Sequence, residues 1–368
     1  MTNSNILNTF LKIVQIDSPT GYEQQMSKEI KILLDNIGLN SEIDRHGNVI
    51  AFLSGNKNFS PYMVNAHLDT VEPGRGIKPK IENLWIKSSG NTILGADNKV
   101  AVAAILEAIR LLVLEDPQKR HSLEIVFTTS EESGNLGAIG LDYSKIKSRF
   151  GYSFDVSSMK LGDIMISSPF YNRIEIEIEI IGKSGHAKNP EKGINVLPIF
   201  AKAINKLKLG RVSENTLVNI GIVKIGEAVN SIPGNASIVG EVRSTIKKEL
   251  EETTSEIIKI FTDSVKGSGV KLESKIVREN AGFKYDKDDK FVKRTVRIGE
   301  SFGLNPKLID SFGCADANIF AEHGIKMLSL ADGSMGAHTV DEKIKINDLE
   351  RLVDLICVLV KEEYDKYK

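Results

Sequence analysis

The sequence predicts an α/β protein in which a large α/β domain is interrupted by a smaller α+β domain of ferredoxin-like order. Three observations lead there. In the first half, near-continuous apolar runs such as Pro61 to Ala66 and Ser122 to Thr129 alternate with helical patterns, as expected of strands covered on both faces. From Tyr171 the pattern changes to strict alternation, with charged and branched residues taking turns from Arg173 to Ile181, which reads as an exposed antiparallel strand with one apolar and one wet face. Beyond residue 283 the strand-helix alternation resumes. The expected boundaries are 1–169 and 284–368 for the two parts of the large domain and 170–283 for the insertion.

Length and charge narrow the function classes. A chain of 368 residues with 41% hydrophobic content exceeds one compact core. Lys plus Arg at 48 against Asp plus Glu at 49 leaves a formal net charge of -1, so no global field attracts nucleic acid or an anionic membrane. The only cysteines are Cys314 and Cys357, and Met1 to Asn5 lacks the basic start and apolar core of a signal peptide. No segment reaches the roughly 18 apolar residues of a membrane span. A soluble cytoplasmic protein is expected.

Taken in order, Ile6, Leu7, Phe10, Leu11 and Ile13 recur at helical spacing, Ser18-Pro19-Thr20-Gly21 breaks the helix, and Met26 to Leu34 resumes it. Short strands follow at Ser41 to Asp44 and Asn48 to Leu53, with His46 in the turn between them. The strand Pro61 to Ala66 delivers Asn65-Ala66-His67-Leu68-Asp69-Thr70. A Gly- and Pro-bearing segment from Pro73 to Gly90 leads to Gly95-Ala96-Asp97-Asn98-Lys99, which opens an Ala-rich helix from Val100 to Leu114. The strand Ser122 to Thr129 runs into Ser130-Glu131-Glu132-Ser133-Gly134, and Asp155 closes Tyr152-Ser153-Phe154. In the insertion, helices are expected at Ile194 to Lys206 and Glu249 to Thr262, with strands at Leu217 to Ile225 and Ala236 to Arg243. Phe291 to Phe302 and Asn347 to Tyr364 read as helices, and Met327 to Leu330 as a short strand.

His67, Asp69, Asp97, Glu131, Glu132, Asp155 and, in Gly336-Ala337-His338-Thr339, His338 end apolar strands or open helices. In an open α/β sheet such positions gather at one edge. Histidines mixed with carboxylates suit zinc first and cobalt or manganese next, better than calcium, which prefers oxygen alone. So many donors can serve a pair of ions bridged by one carboxylate. Of the adjacent Glu131 and Glu132, one can bind metal while the other takes a proton from water. Metal-assisted hydrolysis follows. His121 and His323 lack acidic neighbours at metal spacing and are assigned to structure, and Cys314 to packing.

Together, His67-Leu68-Asp69, Gly95 to Lys99, Ser130 to Gly134, Asp155, Gly182-Lys183-Ser184-Gly185-His186-Ala187 and His338 resemble, in order and context, the dinuclear zinc exopeptidases typified by peptidase T, carboxypeptidase G and aminoacylase. Gly185-His186-Ala187 with Pro190 to Asn195, and Gly313 to Asn318, look most like the peptidase T-like group. The resemblance implies a catalytic domain of zinc-exopeptidase type and an inserted lid or dimerisation domain. It further implies that Asp97 bridges two zinc ions, that His67 and Asp155 hold one, and that Glu132 and His338 hold the other. Glu131 becomes the general base, and Asp69 orients His67. His186 would polarise the scissile carbonyl, often from the partner subunit. Asn230 and Arg243 match the pair in which the Asn assists at the carbonyl and the Arg binds the substrate carboxylate. Asn98 departs from the pattern, since many relatives carry a second Asp there.

The resulting expectation is a tripeptide aminopeptidase acting on short peptides, with a homodimer formed through the inserted domain, motivated by its exposed alternating strand and by the trans role implied for His186. An N-acyl amino acid deacylase or carboxypeptidase would use the same metals and Arg243. A non-catalytic metal-binding assembly protein is the reading from another class.

Overall fold

The computed structural model describes residues 4–180 and 184–361, with the backbone alone at 4, 171–180 and 277–280. Gly182 and Lys183 of the insertion motif, and Tyr364 of the expected closing helix, lie outside the described residues. In chain order the elements are α1 (Ser4–Val14), α2 (Gln24–Ile37), β1 (Ser41–Ile43), β2 (Val49–Leu53), β3 (Tyr62–His67), β4 (Pro79–Glu82), β5 (Trp85–Ser88), α3 (Ala96–Val113), β6 (Leu123–Thr128), α4 (Leu136–Gly140), β7 (Phe150–Val156), β8 (Ile164–Ser168), β9 (Phe170–Ile180), α5 (Val196–Ile204), β10 (Gly210–Arg211), β11 (Thr216–Ile225), β12 (Asn235–Ser244), α6 (Lys247–Val265), β13 (Val270–Asn280), β14 (Phe283–Lys284), α7 (Lys290–Ser301), β15 (Leu308–Asp310), α8 (Asp316–Glu322), β16 (Lys326–Ala331), β17 (Lys343–Lys345) and α9 (Ile346–Lys361).

The chain divides into two compact units. The first comprises Met1–Ser167, Lys284–Ser311 and Ala315–Lys368, and the second Ser168–Phe283 with Phe312–Cys314. In the first, a nine-stranded sheet runs β1-β2-β6-β3-β7-β16-β8-β14, with β15 beside β8. β3 lies parallel to both β6 and β7, and β16 parallel to β7. All six residues of β3 and of β6 are buried, which explains why these strands read as continuous apolar runs. Four neighbouring parallel strands therefore end on one edge. α3, whose Ala-rich surface is buried almost all round, packs against α1 and α9. The Pro73 to Gly90 segment contains the hairpin β4-β5, which pairs with β17 in a separate small sheet. Its turn places Asn83 at φ 47° and Leu84 at φ 67°, the two-residue turn of positive φ that suits strand twist.

The second unit is a five-stranded antiparallel sheet ordered β10-β11-β12-β9-β13, with α5 and α6 packed together and against it. Its core is Val196, Phe200, Val218, Ile238, Val242, Ile257 and Phe261 with their neighbours. β9 carries the alternating run and pairs with β12 on one side and β13 on the other. It is an interior strand, where the alternation had read as an exposed one, because two long antiparallel partners use both its edges. Phe312–Cys314 joins this unit through backbone carbonyls: Phe312 O accepts from Arg243 Nη1 at 2.9 Å, and Gly313 O from Ser168 Oγ at 2.7 Å.

Candidate metal centre

The donors expected at the ends of the parallel strands converge. His67 is the last residue of β3, the pair Glu131 and Glu132 follows β6, Asp155 lies near the end of β7, and His338 belongs to the loop after β16. His67 Nε2 lies 3.1 Å from Asp97 Oδ1 and 3.7 Å from Asp155 Oδ1. On the other side, His338 Nε2 lies 2.7 Å from Glu132 Oε1 and 3.6 Å from Asp97 Oδ2. The two oxygens of Asp97 thus face two different histidines. Donor atoms of His67, Asp97 and Glu132 all fall within 4.8 Å of one another, a group able to hold a metal ion.

Several buried polar contacts aim these donors. His67 Nδ1 lies 3.0 Å from the Asp69 carbonyl and 3.4 Å from its Oδ1, which leaves Nε2 for the cluster. The Asp69 carboxylate does more than orient His67. It accepts the backbone N–H of Glu131 at 2.9 Å, that of Glu132 at 3.1 Å, and the Thr20 hydroxyl at 2.9 Å. Glu23 grips the same loop from α2's start, accepting from Ser130 N at 3.0 Å and Ser130 Oγ at 2.9 Å. Ser130 there adopts φ 53°. Glu342 accepts from Gly95 N at 2.6 Å and Asp97 N at 2.9 Å, and so places Asp97. Asn98 donates to Asp155 Oδ1 and to the Phe154 carbonyl, both at 2.9 Å. An ionised carboxylate in this position could not make these donations.

The electrostatics fit a cation. Burial alone would lower the His67 imidazole's affinity for a proton, but Asp155, Asp69 and Asp97 overcome it and hold its pKa well above the ordinary value. The Glu132 hydrogen bond, against burial, lifts His338 to about 9. Burial and then the charge of Asp155 hold Glu131 well above the carboxylate range, with His67 opposing. Buried carboxylates that crowd two histidines call for positive charge, and two histidines with three carboxylates match a borderline divalent cation.

The remaining predicted residues belong to the second unit. The segments carrying His186 and Asn230 are joined there by backbone: His186 bridges Ser231, and Ala187 N donates to Asn230 O at 2.9 Å. Arg243 forks onto Glu241 with Nε and Nη2 at 3.1 Å each. His121 packs on Tyr62 and its Nδ1 lies 2.7 Å from Ser60 O, while His323 stacks on Tyr143, as their assignment to structure required. Sequence reasoning passed over Glu23, Asn135 and Glu342, which carry no motif spacing of their own, and gave no role to Asp316 within the Gly313 to Asn318 motif.

Comparison with known proteins follows the same lines. The profile of Peptidase family M20/M25/M40 matches residues 63–362. The uncharacterized protein YqjE of Bacillus subtilis (strain 168) is 35% identical over 371 residues, 98% of this chain and 99% of that protein. The crystal structure of aminopeptidase PepT from Bacillus cereus ATCC 10987 superposes with a TM-score of 0.86 at 34% identity, covering 97% of this chain and 98% of the other. A tripeptidase from Staphylococcus aureus subsp. aureus Mu50 gives 0.89 at 30% identity, covering 97% of each. Among the described residues, no helix is long and apolar enough to cross a membrane.

Proposed function

Since the chain belongs to peptidase family M20/M25/M40 and is a peptidase T-like metallopeptidase, we propose that it is a cytoplasmic aminopeptidase for short peptides, above all tripeptides, working with two zinc ions. The observation that carries the reading is the division of the donors around Asp97, with His67 and Asp155 on one side and Glu132 and His338 on the other. The likeness to an aminopeptidase and to a tripeptidase supports the substrate class. In this reading His67 and Asp155 would hold one ion and Glu132 and His338 the other, with Asp97 available to both. Cobalt or manganese would suit the same donors. When bound, the cations supply Lewis acidity that polarises the scissile carbonyl and makes the attacking water more acidic.

The chain's own residues do the rest. Glu131 takes a proton from the water and returns it to the departing amine, a task favoured by the burial that raises its proton affinity. Asp69 holds Glu131 and Glu132 by their backbone N–H groups while keeping His67 turned toward the cluster. His186 and Asn230 assist at the carbonyl oxygen, and Arg243 exchanges Glu241 for the substrate carboxylate. The first test is mass spectrometry of one tripeptide offered free, N-acetylated and C-amidated, with and without a chelator. Cleavage only where the amine is free, abolished by the chelator, is expected. Preference for the acetylated peptide would transfer the chain to the deacylases or carboxypeptidases, and inertness toward all three with zinc present would leave a metal-binding assembly protein. Glu131→Gln should retain bound zinc and lose nearly all turnover.

A further inference from the structure

Two side chains from distant segments meet behind Glu131. Asn135, only 2% exposed, donates through Nδ2 to Glu131 Oε1 at 2.8 Å and to Asp316 Oδ1 at 3.0 Å. Asp316, 1% exposed at the start of α8, accepts on Oδ2 from the Thr128 hydroxyl. With a carboxylate on each side, the Asn135 amide must present its NH2 to both, because its carbonyl oxygen would meet only acceptors. Its orientation is thereby determined. Asn135 itself sits at φ 60°, a left-handed conformation that Asn tolerates better than most residues.

A buried anion in this place is costly if its task is packing alone, since Asp155 already adds negative charge nearby. A neutral amide would fill the space without that cost. We infer that Asn135 and Asp316 are positioning residues for Glu131: Asp316 sets the Asn135 amide, and Asn135 holds Glu131 Oε1 so that Oε2 meets the proton of the attacking water. The inference rests on the reading of Glu131 as the base, and it assigns neither residue a direct contact with metal or substrate.

The experiment is a double-mutant cycle on the zinc-loaded protein with a free tripeptide, using Asn135→Gly, which keeps the left-handed backbone, in wild-type and Glu131→Gln backgrounds. Asn135→Gly should lower kcat by roughly ten- to a hundredfold, the range typical of groups that support a reacting residue. In the Glu131→Gln background the same substitution should cost less than about twofold, because its target is already gone. KM, the melting temperature and the zinc affinity of stripped protein, read by calorimetry, should stay near wild type. Asp316→Asn, which keeps an oxygen for Asn135, should remain closer to wild type than Asp316→Ala. Equal losses in both backgrounds, or a kcat loss tracked by zinc affinity or melting temperature, would overturn the positioning role. A fully active Glu131→Gln would overturn the base reading itself, an outcome distinguishable from either.

Discussion

At the scale of single residues, the candidate site is surrounded by ionisable groups that ordinary proteins keep in water. Lys99 is the sharpest case. It is fully buried, and its Nζ donates to the Ile16 carbonyl at 2.7 Å. Burial lowers its pKa to about 7, against the raising influence of Asp17 and Glu342. Between about 7 and the ordinary lysine value near 10.4, the folded chain holds this lysine neutral while the unfolded chain still binds the proton. The unfolded state then carries more protons, so this residue's contribution makes stability rise with pH across that window. Below about 7 both states are protonated and the contribution is flat at its least favourable level. His338 works in the opposite direction, because its pKa is raised to about 9 and its stabilisation is lost as pH climbs through that value. Comparing wild type with Lys99→Met separates the two. Between pH 7.5 and 9.5, on the order of one pKa unit either side of mid-window, the wild-type melting temperature should gain on that of the variant. Parallel melting curves would contradict the buried-lysine account.

At the scale of elements, the loop between β6 and α4 carries both glutamates, and its base is packed without slack. Asn48, just before β2, accepts from Thr129 N at 3.1 Å and donates to the Gly137 carbonyl at 3.0 Å. A Cβ on Gly137 would fall 2.6 Å from Thr129 N and closer still to Thr129 O and Asn48 Oδ1. Gly137→Ala should therefore destabilise the fold by about 1–3 kcal/mol, as overpacking does, and lower zinc affinity with it; urea unfolding and calorimetry read both, and an unchanged midpoint would refute the close fit. This arrangement also shows what a sequence can and cannot reveal. His67, Glu131, Glu132 and Asp155 were legible because each stands where an apolar run stops, and parallel strands bring such stops to one edge. The hairpin β4-β5 was not, because its left-handed turn is made by Asn83 and Leu84, and Leu gives no turn signal. Glu23, Asn135 and Glu342, and the role of Asp316 within its motif, were invisible for another reason. Each acts through one or two hydrogen bonds to a residue far along the chain or within a loop, and such pairings leave no period or spacing to read.

At the scale of the whole molecule, the question is what the inserted unit does for the other. Its alternating strand β9 offers no edge, being paired on both sides, so the motive for a dimer moves to β11. On β11's outer side, β10 pairs only with Leu217 and Val218. From 219 to 225 no further strand covers that side among the described residues, and Ile222 and Val223 are about half exposed there. An uncovered strand edge with apolar side chains is the kind of surface that pairs with a second copy. We propose a homodimer through this unit, with His186 acting in the partner's site. Light scattering should give about twice the 40.5 kDa chain mass, and Ile222→Lys combined with Val223→Asp should shift it toward the monomer. Subunit mixing tests the trans role directly. Glu131→Gln and His186→Ala proteins, each inactive alone, should regain roughly a quarter of wild-type turnover after unfolding and refolding together, because half of randomly paired two-fold dimers then contain one intact composite site. If His186 served its own subunit, no pairing would unite it with a competent Glu131, and the mixture would stay inactive.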